Sequence, residues 1–371
     1  MRKLVLAVVM MAVATPASAQ IGAIRKGLEA KKKIEGLKVT DEEAQQIGAS
    51  VSERIRQRYG VVQDEAVTRY VTLVGSVMAQ QIAGDAKGFT FIVLDTDAVN
   101  AFAAPGGYVH ITRGALGLVS NEAELAGVLG HEITHVTEKH TIKAIEKSNR
   151  IKMTTETVAG DREVLAQVTN LAYDNIIENS FDRNDEMASD ESGVAAADKI
   201  GYDPHGLSTF LQKLADRNKG ATSKRGLFAS HPDIEARLKA IAKEIKDDKL
   251  TATATVEARY KQFIPYEATA QADIAMVEPG AAGLAEGAPA KDEAAKEEAK
   301  KEEAPKKKGF GLSSLVKPIG AEKQEAQVVA SGGARGVGDP ERDAKGGSNP
   351  KVVVVRVTAA EIAEFKKGIG A

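Results

Sequence analysis

A chain of 371 residues is long enough to bury the core of one or two domains. Aromatic residues are only 4% and tryptophan is absent, so that core has to be built from aliphatic side chains and alanine. Fifty basic against fifty-two acidic side chains leave a net charge of −2, which argues against a nucleic-acid partner, and the lack of cysteine excludes both a disulfide framework and a lipid-carrying cysteine.

The first nineteen residues have the three parts of an export signal. Arg2 and Lys3 give a positive start, residues 4–14 an apolar run, and Ala17-Ser18-Ala19 a small-residue cleavage site. The run is shorter than the roughly 20 residues of a membrane-spanning helix, and no later segment is apolar for long enough. The expectation is a mature chain from Gln20 in the periplasm, with secretion or peripheral membrane attachment as alternatives, and no transmembrane segment once the signal is removed. Residues 20–39 form a Lys-rich arm or linker.

A globular pattern starts at Thr40 and is expected to run over residues 40–266. Apolar residues at helical spacing predict helices over 41–59 and 63–82, broken at Gly60. Residues 89–94 read as a strand, Asp95 and Asp97 as turn residues, 98–107 as a small-residue loop, and 108–111 as a second strand leading into a helical turn over 112–119. A helix over 121–140 has Asn121 as cap, with Glu124 three residues on where a capping box places it. Further helices are expected over 162–180, over 183–199 with a stop at Gly201-Tyr202-Asp203-Pro204, and over 207–216 and 232–246. The fold class is therefore mainly α with a small β-sheet.

Beyond Glu267 the chain turns to alanine, charge and glycine, so residues 267–350 are read as a disordered linker. Residues 351–371 read as a strand (the β-branched run 352–357) followed by a short helix capped by Thr358 and Glu361. This tail is available to tether the protein to an envelope partner, to hold it latent, or to dock on its own domain.

His131-Glu132-Ile133-Thr134-His135 carries the chemistry. Two histidines four apart on a helix share one face and can bind one zinc ion, while Glu132 stands close enough to take a proton from a metal-bound water. A catalytic zinc needs a third protein ligand and an open fourth position. A third histidine six residues past the second is absent, since position 141 is Thr141. Glu186 and Asp190, four apart on a later helix, supply the alternative: Glu186 as ligand and Asp190 holding the free N–H of a ligand imidazole, His131.

With these residues the sequence resembles the gluzincin family of the CAAX prenyl endopeptidases and HtpX proteases, and within it the soluble periplasmic BepA-type members. The resemblance covers roughly residues 40–245. It rests on Asn100 to Gly107 with Thr112-Arg113-Gly114, on the approach 124–130 to H-E-x-x-H, on E-x-x-A-D at Glu186 (with Ser189 in place of alanine), on the turn 201–204, and on Ser230-His231-Pro232 with Arg237.

The resemblance implies a zincin-like domain holding one Zn2+ per chain that hydrolyses peptide bonds of extended or misfolded envelope proteins. It implies that Asn100, Ala101, Phe102, Ala103, Pro105, Gly106 and Gly107 lie on an edge-strand segment, 100–112, that pairs with substrate. Gly106 and Gly107 would permit the substrate's close approach. It further implies that Arg237 supports the site, and that His231 either stabilises the transition state or caps the metal in a latent form. His140, His110 and His205 are given no catalytic role. A second reading keeps the fold but not the reaction: a zinc-binding holdase or assembly factor that holds clients along the edge strand.

Overall fold

The computed structural model describes residues 39–152, 161–178, 181–219, 231–270 and 354–370. Helix α1 (Asp41–Tyr59) opens on a capping box in which Thr40 and Glu43 satisfy each other's backbone N–H groups. Helix α2 (Glu65–Ala83) is capped by Asp64 and stopped by the left-handed Gly84.

Three strands follow. β1 (Thr90–Leu94) and β3 (Tyr108–Thr112) are parallel neighbours, and β2 (Ala101–Ala104) pairs antiparallel to β3 at the sheet's edge. Arg113 holds the intervening bend by donating to Asp95 (2.6 Å) and Asp97 (2.7 Å). The loop expected over 98–107 is thus corrected to a bend and a four-residue strand, hidden in sequence because alanine has little strand preference. The single edge segment 100–112 is corrected too. A 3-10 turn at Pro105–Gly107 divides it, only β2 lies at the edge, and Tyr108–Thr112 is the central strand.

Alternation along the strands gives the sheet two faces. Phe91, Val93, Ala101, Val109 and Ile111 join the main core with α2 and α4 (Glu122–Thr137). Ile92, Leu94, Phe102 and Ala104 join a second cluster with α1 and α6 (Asp161–Glu178), where Phe102 stacks on Tyr59 at 5.7 Å. His110 lies between sheet and α1, bonded to Ser52 at 2.8 Å, and burial lowers its pKa to about 3, so it stays neutral.

The remaining helices are α3 (Arg113–Leu118), α5 (His140–Lys152), α7 (Arg183–Ile200), α8 (Gly206–Arg217), α9 (Ile234–Asp247), α10 (Glu257–Phe263) and α11 (Ala359–Lys367). The helix expected over 121–140 is two helices. α4 ends at Thr137, Lys139 adopts φ 54°, and α5 starts at His140.

No strand forms over the described residues 354–357, which correct the expected C-terminal strand; Thr358 and Glu361 do build a capping box for α11. This helix docks on the domain through buried Ile362, with Ile369 buried just beyond its end. Arg259 stacks on Phe365 at 4.0 Å, and Arg69 pairs with Glu361 at 2.9 Å. Beneath it, Tyr70 (2.6 Å), Tyr202 (2.6 Å) and Arg259 (2.7 Å) all donate to Glu122, the first residue of α4. That buried carboxylate fixes the start of the helix carrying H-E-x-x-H. The signal (1–19), the arm apart from Val39, and residues 271–350 of the linker lie outside the described residues. Among the described residues no helix is long and apolar enough to cross a membrane.

Candidate metal centre

Helix α4 is held along its whole length. Asn121 accepts from Glu124 N at 3.0 Å, and Lys213 binds the Glu124 carboxylate at 2.7 Å. Its next turns meet α7 glycine to glycine. A Cβ on Gly130 would stand 3.1 Å from Gly193 Cα and one on Gly193 3.0 Å from His131 N, tighter than side chains normally pack, so the two glycines let the helices approach closely. That close approach brings Glu186 and Asp190 of α7 beside the two histidines of α4.

Four donor atoms, from His131, His135, Glu186 and His231, lie within 4.8 Å of one another, and all four residues are buried. The closest separations among them run from 2.9 to 3.6 Å. His131 Nε2 is 3.0 Å from His135 Nε2 and 3.2 Å from His231 Nδ1. Glu186 Oε1 is 2.9 Å from His231 Nδ1 and 3.5 Å from His135 Nε2, and Glu186 Oε2 is 3.6 Å from His131 Nε2. A tetrahedral zinc with bonds of about 2.0–2.1 Å has ligand atoms roughly 3.3 Å apart, so the donor set fits that ion.

The protonation preferences of His135 and Glu186 suit coordination. Burial holds His135 well below its usual pKa, which keeps the ring neutral. Burial alone would raise Glu186, but His231 and His135 hold it well below the carboxylate range. His231 is also penalised by burial, and Glu186 and Glu132 together more than offset this, raising its pKa and favouring the protonated ring, so this ring, unlike that of His135, is not tuned as a ligand.

Glu132 is buried next to the cluster, its Oε1 3.6 Å from His231 Nε2 and its Oε2 without a hydrogen-bond partner. Burial, the largest influence, raises its pKa. A carboxylate with one uncommitted oxygen in a dry site is a proton acceptor in waiting.

A shell of partners fixes the ligands. Asp190 accepts from His131 Nδ1 at 2.8 Å and is gripped in turn by Arg237, whose Nε and Nη2 donate at 2.7 Å each. Arg237 Nη1 also lies 2.9 Å from Glu186 Oε2. His140, given only a structural role from sequence, faces His135 Nδ1 at 2.9 Å and Asp185 at 3.5 Å. Phe181, not singled out in sequence at all, stacks on His135 at 4.1 Å. Neither residue carried a local signal for these contacts, since the break that turns His140 back lies at a non-glycine residue, Lys139.

The expected substrate-binding residues divide. Ala101 and Phe102 are buried in the two core clusters, and Asn100 spends its side chain on Ala101 N at 2.9 Å. Ala103, Pro105, Gly106 and Gly107 line a cavity that reaches His135. Gly106 and Gly107 have φ 72° and 92°, and a Cβ on Gly107 would stand 1.8 Å from the Gly88 carbonyl oxygen, so the protein's own backbone requires them.

Residues 65–245 match the sequence profile of peptidase family M48. Over 197 residues the chain is 29% identical to the beta-barrel assembly-enhancing protease of Yersinia pestis, a match covering 50% of this chain and 40% of that one. It is 28% identical over 158 residues to the metalloprotease YcaL of Escherichia coli (42% and 61%). It is 27% identical over 176 residues to the mitochondrial metalloendopeptidase OMA1 of Schizosaccharomyces pombe (47% and 52%). The match thus spans about two-fifths of the first of these relatives.

Proposed function

We propose that the protein is a peptidase of family M48, whose profile residues 65–245 match, and that it is a zinc-dependent endopeptidase of the cell envelope acting on extended or misfolded polypeptides. The observation that carries this reading is the cluster of four buried donor residues, His131, His135, Glu186 and His231, with Glu132 beside it. His131, His135 and Glu186 are the zinc ligands, one ion per chain. When bound, zinc supplies Lewis-acid polarisation of the scissile carbonyl and of the attacking water.

The protein supplies the proton transfers and the orientation. Glu132 accepts the water's proton on its uncommitted oxygen and returns it to the leaving amine. Asp190 fixes the His131 ring so that Nε2 points into the site, and His140 does the same for His135. Export by residues 1–19 places the reaction in the periplasm, and the C-terminal tail is available to an envelope partner. The test is metal assay with proteolysis: one zinc per chain, casein cleaved, cleavage lost on chelation and restored by zinc. Fully active metal-free protein would overturn the reading.

His231 Nδ1 stands beside His131 Nε2 and Glu186 Oε1, where it would take the fourth position that a catalytic zinc leaves to water and substrate. In this reading it caps the resting site rather than serving the transition state. His231→Ala is therefore expected to raise the initial rate of casein cleavage several-fold with zinc retained. A fall in rate at unchanged zinc content would assign His231 to the transition state instead.

A further inference from the structure

The C-terminal helix α11 has no role in the chemistry above, yet it sits where the two helices that build the centre can be controlled. Helices α4 and α7 cross at Gly130 and Gly193. On one side of that crossing stand His135 and Glu186. On the other lie Glu122, the first residue of α4, and Ile200, the last of α7. The C-terminal segment covers this far side. Ile369 joins the buried cluster that holds Ile200 and Tyr202, and its Cγ2 lies 3.7 Å from where a Cβ on Gly201 would stand. Phe365 packs edge-on against Tyr70 at 6.0 Å and lies under the Arg259 guanidinium at 4.0 Å. Arg259 also donates to the Phe365 carbonyl oxygen at 3.2 Å.

These contacts converge on Glu122. Its carboxylate is fully buried and accepts from Tyr70 of α2, from Tyr202 just past the end of α7, and from Arg259 of α10. Arg259 is the partly exposed member of this set, and it is the one that α11 covers. With α11 absent its guanidinium would face water, and its attraction to Glu122 would weaken in the higher dielectric. Glu122 stands about 14 Å along α4 from His131. Close-packed interiors are stiff and pass displacement on, so two helices in contact at their glycines act as levers. The spacing of their far ends therefore sets the spacing of His131 and His135 from Glu186.

The docking is built to be reversible. A helix of nine residues does not persist alone in water, so α11 forms as it docks. Its anchorage is two buried isoleucines, 362 and 369, the partly buried Phe365 and the exposed pair of Glu361 with Arg69. So little apolar burial only narrowly outweighs the ordering of the segment. Resting on the peptidase reading, we propose that residues 354–370 are a reversible clasp on the catalytic helix. Docked, they seat Arg259 on Glu122 and hold α4 and α7 at the spacing that aligns the donors and Glu132. Released, they let the far ends part and the centre loosens.

In the full-length protein, Ile362→Asp combined with Phe365→Ala undocks α11. At full zinc occupancy this variant is expected to cleave casein with kcat about 10-fold lower and KM little changed, well within what a small misplacement far from the chemistry can cost. A synthetic peptide of residues 351–371 is expected to restore kcat, and the same peptide carrying Ile362→Asp is not. Hydrogen exchange of the metal-free protein needs no turnover: the amides of residues 125–129 should exchange about 10-fold faster in the variant and slow again with the peptide. Should the variant not fold, wild-type protein cut within residues 271–350 after purification serves instead, with dilution slowing it and the peptide restoring it. Unchanged kcat and exchange, or a rate that rises on release, would overturn the clasp and leave the peptidase reading intact. Peptide-reversible exchange in a protein that cleaves nothing would overturn the peptidase reading and keep the clasp.

Discussion

Glu132→Gln yields a protein that still binds one zinc per chain and cleaves casein at least about 10³-fold more slowly, within the range that general acid–base groups contribute. The substitution keeps the shape of the side chain and removes its ability to accept a proton. Two features make the effect large. The group is buried, so bulk water cannot replace it, and one oxygen has no competing hydrogen bond. The two buried carboxylates beside it are already committed: Glu186 belongs to the donor set and Asp190 is held by Arg237 and His131. Glutamine should not harm folding, because it removes a carboxylate whose pKa burial already raises. Casein cleavage by Glu132→Gln at more than a tenth of the wild-type rate would sink the assignment. Protection of unfolded clients by this variant at wild-type strength, with no turnover by wild type, would favour the holdase.

Much of the centre was legible because its logic is local. The four-residue spacing of His131 and His135, and of Glu186 and Asp190, follows from helix periodicity, and the cap at Asn121 fixes where the first helix starts. What joins the two helices is the crossing at Gly130 and Gly193, and nothing in either segment marks those glycines as partners. The illegible parts are tertiary. Lys139 breaks the helix in a left-handed conformation without being glycine or asparagine, so His140 turns back onto His135 against every local signal. Ala101–Ala104 is a strand because β3 and two core clusters surround it, not through its own preferences. The valines at 354–357 have strong strand propensity and no partner strand among the described residues.

The second large effect is expected at Arg237, a residue that touches no donor nitrogen of the cluster through its own chemistry yet holds its carboxylates in place. Its guanidinium is almost fully buried, grips Asp190 through two parallel bonds of 2.7 Å, and stands 2.9 Å from Glu186. Burial pushes the pKa of Asp190 up, and Arg237 together with His131 brings it below the usual range. Arg237→Leu leaves both carboxylates without their cation in a dry site. Breaking a buried pair in this way costs about 3–5 kcal/mol, so urea unfolding of the metal-free protein should show a loss of that size. Freed from Arg237, Asp190 no longer fixes the His131 ring, and zinc affinity measured against a competing chelator should fall about 10–100-fold. Lysine at this position should recover little, since it cannot make the paired bonds to one carboxylate. Asp190→Asn in the Arg237→Leu background should cost less than the sum of the single changes, because the unpaired charge it removes is the one the first substitution exposed. A loss below about 1 kcal/mol with zinc affinity unchanged would show that the arginine is a bystander to the centre.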